Sequence, residues 1–171
     1  MELDERYRLL HFAEADFVDE QAVIEFWERE QAVPRERVRD RAREVAFVGV
    51  EQSGQVVAVS TVFMRRSSQL RSDMWHYRTF VGRDHRRSAL ALLLLRRTRQ
   101  HLEQQFVSGV DTRAPGIMFE LENPEVKRAR TEAVWEHPGS PGKRWIFVGE
   151  NAKGDHCRVY YFPGARLPPP G

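Results

Sequence analysis

The stretch that most restricts how this chain folds runs from Asp73 to Phe106. Trp75 to Val81 has the aromatic and β-branched composition of a strand. A polar corner follows at once, with Arg83, Asp84, His85, Arg86, Arg87 and Ser88. Ala89 to Leu95 is then apolar on every side, which predicts a helix wedged under a sheet, and Arg96, Arg97 and Arg99 predict its emergence into water. Strand, arginine corner and helix make one unit.

Such a unit has a chemical use. The first turn of a helix carries N–H groups with no partner inside the helix, and the aligned peptide dipoles add positive potential there, so anions bind at helix starts. Here Arg83, Arg86 and Arg87 add charge, while Ser88, Ala89 and Ala91 are small enough to admit a phosphate to the backbone. The window from Arg83 to Arg99 holds six arginines against the single Asp84, in a chain whose formal net charge is only +2. Positive charge this local predicts a small anionic ligand such as a phosphorylated cofactor, more than a long polyanion.

Arg86-Arg87-Ser88-Ala89-Leu90-Ala91 resembles the Arg/Gln-x-x-Gly-x-Gly/Ala pyrophosphate loop of the GNAT acyltransferases (GCN5-related N-acetyltransferases), with alanine at 89 where that family usually has glycine. A preceding strand and a following helix supply the context the motif needs. The resemblance implies acetyl-CoA or another acyl-CoA as co-substrate, bound by Arg86, Arg87, Ser88, Ala89, Leu90 and Ala91. It also implies main-chain contacts from Phe80 and Val81, and an acceptor pocket with one wall made by the first two helices, bringing in Phe26, Trp27 and Val33. The implied fold is α/β with a mixed, mostly antiparallel sheet of about six or seven strands flanked by about four helices.

Length and composition agree with that size of fold. The chain's 171 residues suit one domain over 1–171, with a proline-rich tail from 163 to 171, and 41% hydrophobic residues can supply a core. The longest apolar run, Ala89 to Leu95, is far short of the roughly 18 residues that span a bilayer, so no membrane partner is expected. The charged amino end lacks the apolar centre of an export signal, which points to the cytoplasm. Cys157 is the only cysteine, which excludes an internal disulfide and leaves no Cys/His ligand set, so no metal is expected.

In chain order, Arg6 to Ala13 reads as a strand. Val18, Ala22, Val23, Phe26 and Trp27 share one helical face, with Asp16 as a candidate cap. Pro34 opens a short charged helix to about Arg43. Val45–Val50 and Val56–Met64 pair as a hairpin, and Arg65–Arg71 forms a polar loop into the next strand. The helix then crosses to a parallel strand, Ile117 to Leu121. Glu125 to Trp135 predicts a short helix, with Asn123 a turn residue before it. Trp145–Val148 and Arg158–Phe162 are the last strands.

Acyl transfer to an amine needs alignment and removal of a proton. Three residues are candidates for the base. His76 titrates near neutrality. Tyr77 lies on the opposite face of the same strand. Glu120 is preferred, because burial in a cleft raises a carboxyl toward useful basicity, with a bound water as relay. Glu122, two residues on, alternates with Glu120 toward the same side and is a candidate acceptor contact, as are Trp27 and Trp75. For the acid, the family commonly has a tyrosine where this chain has Trp135, leaving Tyr160, Tyr161 or water. The acceptor is a small-molecule or peptide amine of unidentified structure, and the oligomeric state is open, a homodimer included.

Two other functions stay open. One is a GNAT-like module that binds acyl-CoA without turnover. The other is a nucleic-acid binder using the six arginines with Trp75 and Tyr77, disfavoured because Asp84 and Glu103 dilute the patch.

Overall fold

The computed structural model describes residues 3–167, so positions 168–171 of the expected proline-rich tail lie outside it. Its strands are β1 (Tyr7–His11), β2 (Val45–Glu51), β3 (Val56–Ser67), β4 (Ser72–Val81), β5 (Gly116–Leu121), β6 (Val134–Glu136), β7 (Arg144–Glu150) and β8 (His156–Tyr161). They form one sheet in the order β1-β2-β3-β4-β5-β8-β7-β6. β5 runs parallel to β4 and antiparallel to β8. The architecture is the expected mixed α/β sheet with helices α1 (Glu20–Glu30), α2 (Val38–Ala42), α3 (Leu90–Val107) and α4 (Pro124–Ala129). The sheet has eight strands, more than the six or seven expected, because the short β6 adds an edge strand.

The chain divides into two compact units, Met1–Val62 with Arg78–Thr98, and Phe63–Tyr77 with Arg99–Gly171. The first unit holds two apolar clusters. Val23, Phe26 and Trp27 of α1 pack with Val38 and Ala42 of α2 against Val48, Val50, Val56 and Val59, with Phe80 beside them. Tyr7, Phe47, Val57, Val81, Leu90 and Leu94 form the other. Successive residues of a strand face opposite ways, so Phe80 serves the first cluster and Val81 the second. In the second unit Met74, Met118, Cys157 and Val159 form a buried group.

Local chemistry moves several boundaries from their expected places. Asp19, not Asp16, caps α1, accepting from the Ala22 N–H at 2.8 Å. β3 continues through the predicted polar loop to Ser67, and the turn is made at residues 68–71, with Arg71 at φ 52°. α4 stops at Ala129 because Arg130 leaves the helical backbone region, at φ −123° and ψ 71°, so Trp135 stands in β6 instead of ending a helix. There Trp135 lies opposite Trp145, with ring centroids 6.5 Å apart. Asn123 is the cap of α4, accepting from the Glu125 and Val126 N–H groups.

α3 begins at Leu90 and is one-sided, not apolar all round. Leu90, Leu93, Leu94 and Thr98 are buried while Ala91, Arg97 and Gln100 are exposed, the spacing of an ordinary amphipathic helix. Arg99 does not emerge into water. It is 1% exposed, with Glu103 one turn further on as its ion-pair partner and the Tyr160 ring 5.1 Å from its guanidinium.

Candidate active site

Between β4 and α3 the chain makes a 3-10 turn, Arg83–His85, followed by a bend at residues 86–89. Gly82 lets this corner close. Its N–H donates to the Val57 carbonyl at 2.8 Å, and a Cβ there would stand 3.2 Å from that oxygen and 3.3 Å from Glu30 Oε1. His85 holds the turn from below, its Nδ1 2.9 Å from the Tyr7 hydroxyl. Ser88 ties the bend to the helix: its hydroxyl donates to the His85 carbonyl at 2.6 Å and accepts from the Leu90 N–H at 3.3 Å. A serine in that role contributes about 1 kcal/mol to a helix start.

The corner's electrostatics are mixed. Arg83, Arg86 and Arg87 are all exposed. Glu30, the last residue of α1, accepts from the Arg83 N–H at 3.0 Å and so already occupies one anion position. Arg86 leans back over the Phe80 ring, its Nε donating to the Val81 carbonyl at 3.4 Å. The Ser88 N–H donates to the His85 carbonyl at 3.0 Å. Two amides of the hexapeptide, those of Ser88 and Leu90, are thus engaged within the protein. The donor set that faces outward is guanidinium, which suits a diphosphate through paired side-chain contacts, with fewer bare amides than the sequence suggests.

The second unit carries the candidate bases. His76 is 4% exposed, and its Nδ1 lies 3.4 Å from Arg65 Nη2. A guanidinium only donates, so this Nδ1 accepts and the ring proton sits on Nε2. The same Arg65 nitrogen is 3.5 Å from Glu120 Oε1, and Phe63 packs on the His76 ring with centroids 5.2 Å apart. Glu120 lies opposite Cys157 on β8. Burial first, then the charges of Glu120 and Asp155, push the Cys157 thiol up, which keeps it protonated and inert as a nucleophile.

No family model matches the sequence, and no curated protein matches it. Solved structures do match. A ribosomal-protein-S5-alanine acetyltransferase from Vibrio fischeri aligns over 97% of this chain and 98% of its own, at TM-score 0.55 and 10% identity. A GNAT-family acetyltransferase from Listeria monocytogenes aligns over 91% and 95%, at TM-score 0.53 and 11% identity. Tetrahymena GCN5 aligns over 92% and 96%, at TM-score 0.50 and 12% identity. The chain has the GNAT fold.

Within that fold the candidate residues separate. His76 and Glu120 share a sheet face, since His76 is paired with Met118 and Glu120 follows two residues along β5. Tyr77, paired with Phe119, faces the other way together with Trp75. Trp75 is partly buried under the Arg113 guanidinium, 5.3 Å from its ring centre. Glu122 is exposed and lies past the end of β5, so it does not alternate with Glu120. Trp27 is 2% exposed in the α1 core and offers no open face to an acceptor. Tyr160 gives its hydroxyl proton to Glu103 at 3.0 Å, and burial pushes its pKa up, as it does for Tyr161.

Sequence reasoning missed Arg65, which bonds to both His76 and Glu120, and Glu30 at the corner. Neither left a signal, because each partner is distant in sequence. The Arg99–Glu103 pair was legible as an i,i+4 pair of opposite charges. Two open hollows on the second unit, of ≈ 300 Å³ beside Gln100 and Lys143 and ≈ 380 Å³ beside Phe106 and Pro115, include none of the candidate residues.

Proposed function

We propose that this GNAT-fold chain is an acyl-CoA-dependent N-acyltransferase that moves an acetyl or other acyl group directly to an amine, and that it works in the cytoplasm, where acetyl-CoA is supplied. The observation that carries the reading is the corner: three exposed arginines around the Ser88-tied start of an 18-residue helix, directly after the strand β4 that runs parallel to β5. The bound coenzyme supplies an activated thioester.

Everything else falls to the chain's own residues. Arg86 and Arg87 hold the diphosphate, joined by the amides near Ala89 and Ala91, and Leu90, 0% exposed, anchors the turn. Phe80 and Val81 contribute main-chain groups. Glu120 takes the proton that the attacking amine loses as its nitrogen bonds to the acyl carbon and the carbon–sulfur bond breaks. Arg65, itself in contact with His76, orients that carboxylate. The departing thiolate takes a proton from water, because the Tyr160 hydroxyl is committed to Glu103. The acceptor is a small-molecule or peptide amine; a peptide amino terminus is worth testing because the Vibrio fischeri relative is a ribosomal-protein-S5-alanine acetyltransferase.

Thermal stability with and without acetyl-CoA tests this. Ligand at a hundred times its dissociation constant adds about 2.7 kcal/mol. An unchanged melting temperature at millimolar acetyl-CoA would falsify the reading. A second reading, binding without turnover, is favoured by Trp135 standing where the family commonly has tyrosine. It predicts stabilisation by acetyl-CoA together with no release of free thiol in the presence of any amine.

A further inference from the structure

The second half of α3 carries a stripe that acyl transfer leaves unused. Arg99, Gln100, Glu103, Gln104 and Val107 follow one another at steps of one and three, so they run along one side of the helix. With Lys143, the residue before β7, they line an open hollow of ≈ 300 Å³ on the second unit. None of them belongs to the arginine corner.

One end of the hollow is rich in donors. Glu103 accepts from Lys143 Nζ at 2.7 Å, from the Tyr160 hydroxyl at 3.0 Å and from Arg99 Nη1. Its carboxylate is thereby engaged on both oxygens, and no second carboxylate pairs with Arg99 or Lys143 among the described residues. Guanidinium and ammonium groups only donate, so N–H groups here outnumber acceptors. Arg99 Nε makes the imbalance concrete: it is buried and has no hydrogen-bond partner, in a residue only 1% exposed. A buried donor in that state gains from any acceptor that reaches it. Lys143, its side chain 32% exposed, keeps the same end within reach of a solute.

The other end is apolar. Val107 lies about 12 Å along the helix from Arg99 and is 61% exposed. Gln100 and Gln104 stand between them, each with a methylene stem and an amide. An inorganic anion uses only the first end of such a hollow. A carboxylate on a chain of about five carbons, long enough to cover one helical turn, uses both. We infer that this hollow binds a small alkyl carboxylate, its oxygens on Lys143 and Arg99 and its chain along α3 to Val107.

The experiment titrates the full-length, nitrogen-15-labelled protein with hexanoate at fixed ionic strength and reads the Arg99 Nε–H and the side-chain amides of Gln100 and Gln104. A saturable shift of these signals is expected, half complete at about 1 mM. Hexanol, which lacks the charge, should bind about tenfold more weakly, and acetate, which lacks the chain, at least about fivefold more weakly. Lys143→Gln removes a donor and should weaken hexanoate about fivefold. Val107→Glu, an exposed change that leaves the Glu103 bonds in place, sets a like charge at the apolar end and should weaken it about tenfold. Absence of a saturable shift up to about 50 mM overturns the inference. So does equal affinity for hexanol or acetate, or an unchanged affinity in whichever of the two variants keeps the wild-type spectrum.

Discussion

The fully buried side chains of the first unit include Val23, Phe26, Trp27, Val48 and Leu90, while those of the second include Arg99 and His137 beside Trp145 and Ile117. Arg158, at 2% exposure, joins the second set, its Nη2 donating to the carbonyls of Arg130 and Glu132. The first unit is thus held by apolar transfer, which tolerates small adjustments and gives a firm platform for exposed charge at the corner. The second depends on charges that are buried and paired, which are costly if one partner is lost. Glu103 is the centre of that dependence: it accepts from Arg99, from Lys143 at 2.7 Å and from Tyr160 at 3.0 Å. The lesson is that the same chain puts its cations outward where a ligand is expected and inward where architecture needs a strut.

Removing the centre of the strut is the hardest test of that contrast. Glu103→Ala is expected to cost about 3–5 kcal/mol in urea unfolding, because Arg99 is left buried without its carboxylate, and joint replacement of Arg99 and Glu103 by Met and Leu should restore most of it. A cost below about 1 kcal/mol would place the pair among ordinary surface bridges. Trp27→Ala probes the apolar side with a similar expected cost, about 3–5 kcal/mol, independent of salt. A small loss of stability with a raised KM would return Trp27 to the acceptor wall.

At the corner the effects are read in binding. Arg86→Ala/Arg87→Ala should abolish the shift of about 2.7 kcal/mol given by acetyl-CoA at a hundredfold excess over its dissociation constant, with the unliganded melting point unchanged. Ser88→Ala is expected to lose about 1 kcal/mol of stability through the missing cap on Leu90, measured by thermal unfolding. An unchanged melting point there would mean that the Ser88 hydroxyl is idle.

The smallest effect lies at alkaline pH. The hydrogen bond to Glu103 holds the Lys143 pKa up, and burial holds Tyr160 up. A group whose pKa is raised by folding gives stability that is complete below its unfolded value, near 10 for both types, and lost as pH rises through the folded one. Unfolding free energy should therefore decline above about pH 10, and Lys143→Met should flatten part of that decline by less than about 1 kcal/mol. An identical alkaline limb in the variant would remove Lys143 from the network.

Much of the fold was legible where side chains alternate simply. The β2–β3 hairpin, the parallel β4–β5 neighbours and the strand–corner–helix order follow from runs of Val, Ile and aromatic residues broken by Gly and Arg. Boundaries set by one residue's conformation were less so. Arg130 ends α4 by leaving the helical backbone region, and Trp135 is drawn into β6 by Trp145, a partner ten residues away that no local pattern announces. The candidate site divides in the same way. Arg86, Arg87 and Ser88 could be found from local motif and charge. That Glu120 and His76 share Arg65, while Tyr77 faces away, depends on the register of β4 against β5.

By itself the sequence determined the class of fold, the arginine corner and its place between a strand and a helix, because each is written in neighbouring residues through backbone preference and periodicity. Tertiary structure alone decided that Arg99 is a buried strut, that Glu30 reaches the corner and that Arg78 of β4 pairs with Glu44. The reason is physical: the state of a charged side chain depends on how much water remains and which opposite charge arrives, and both are set by segments far apart in the chain.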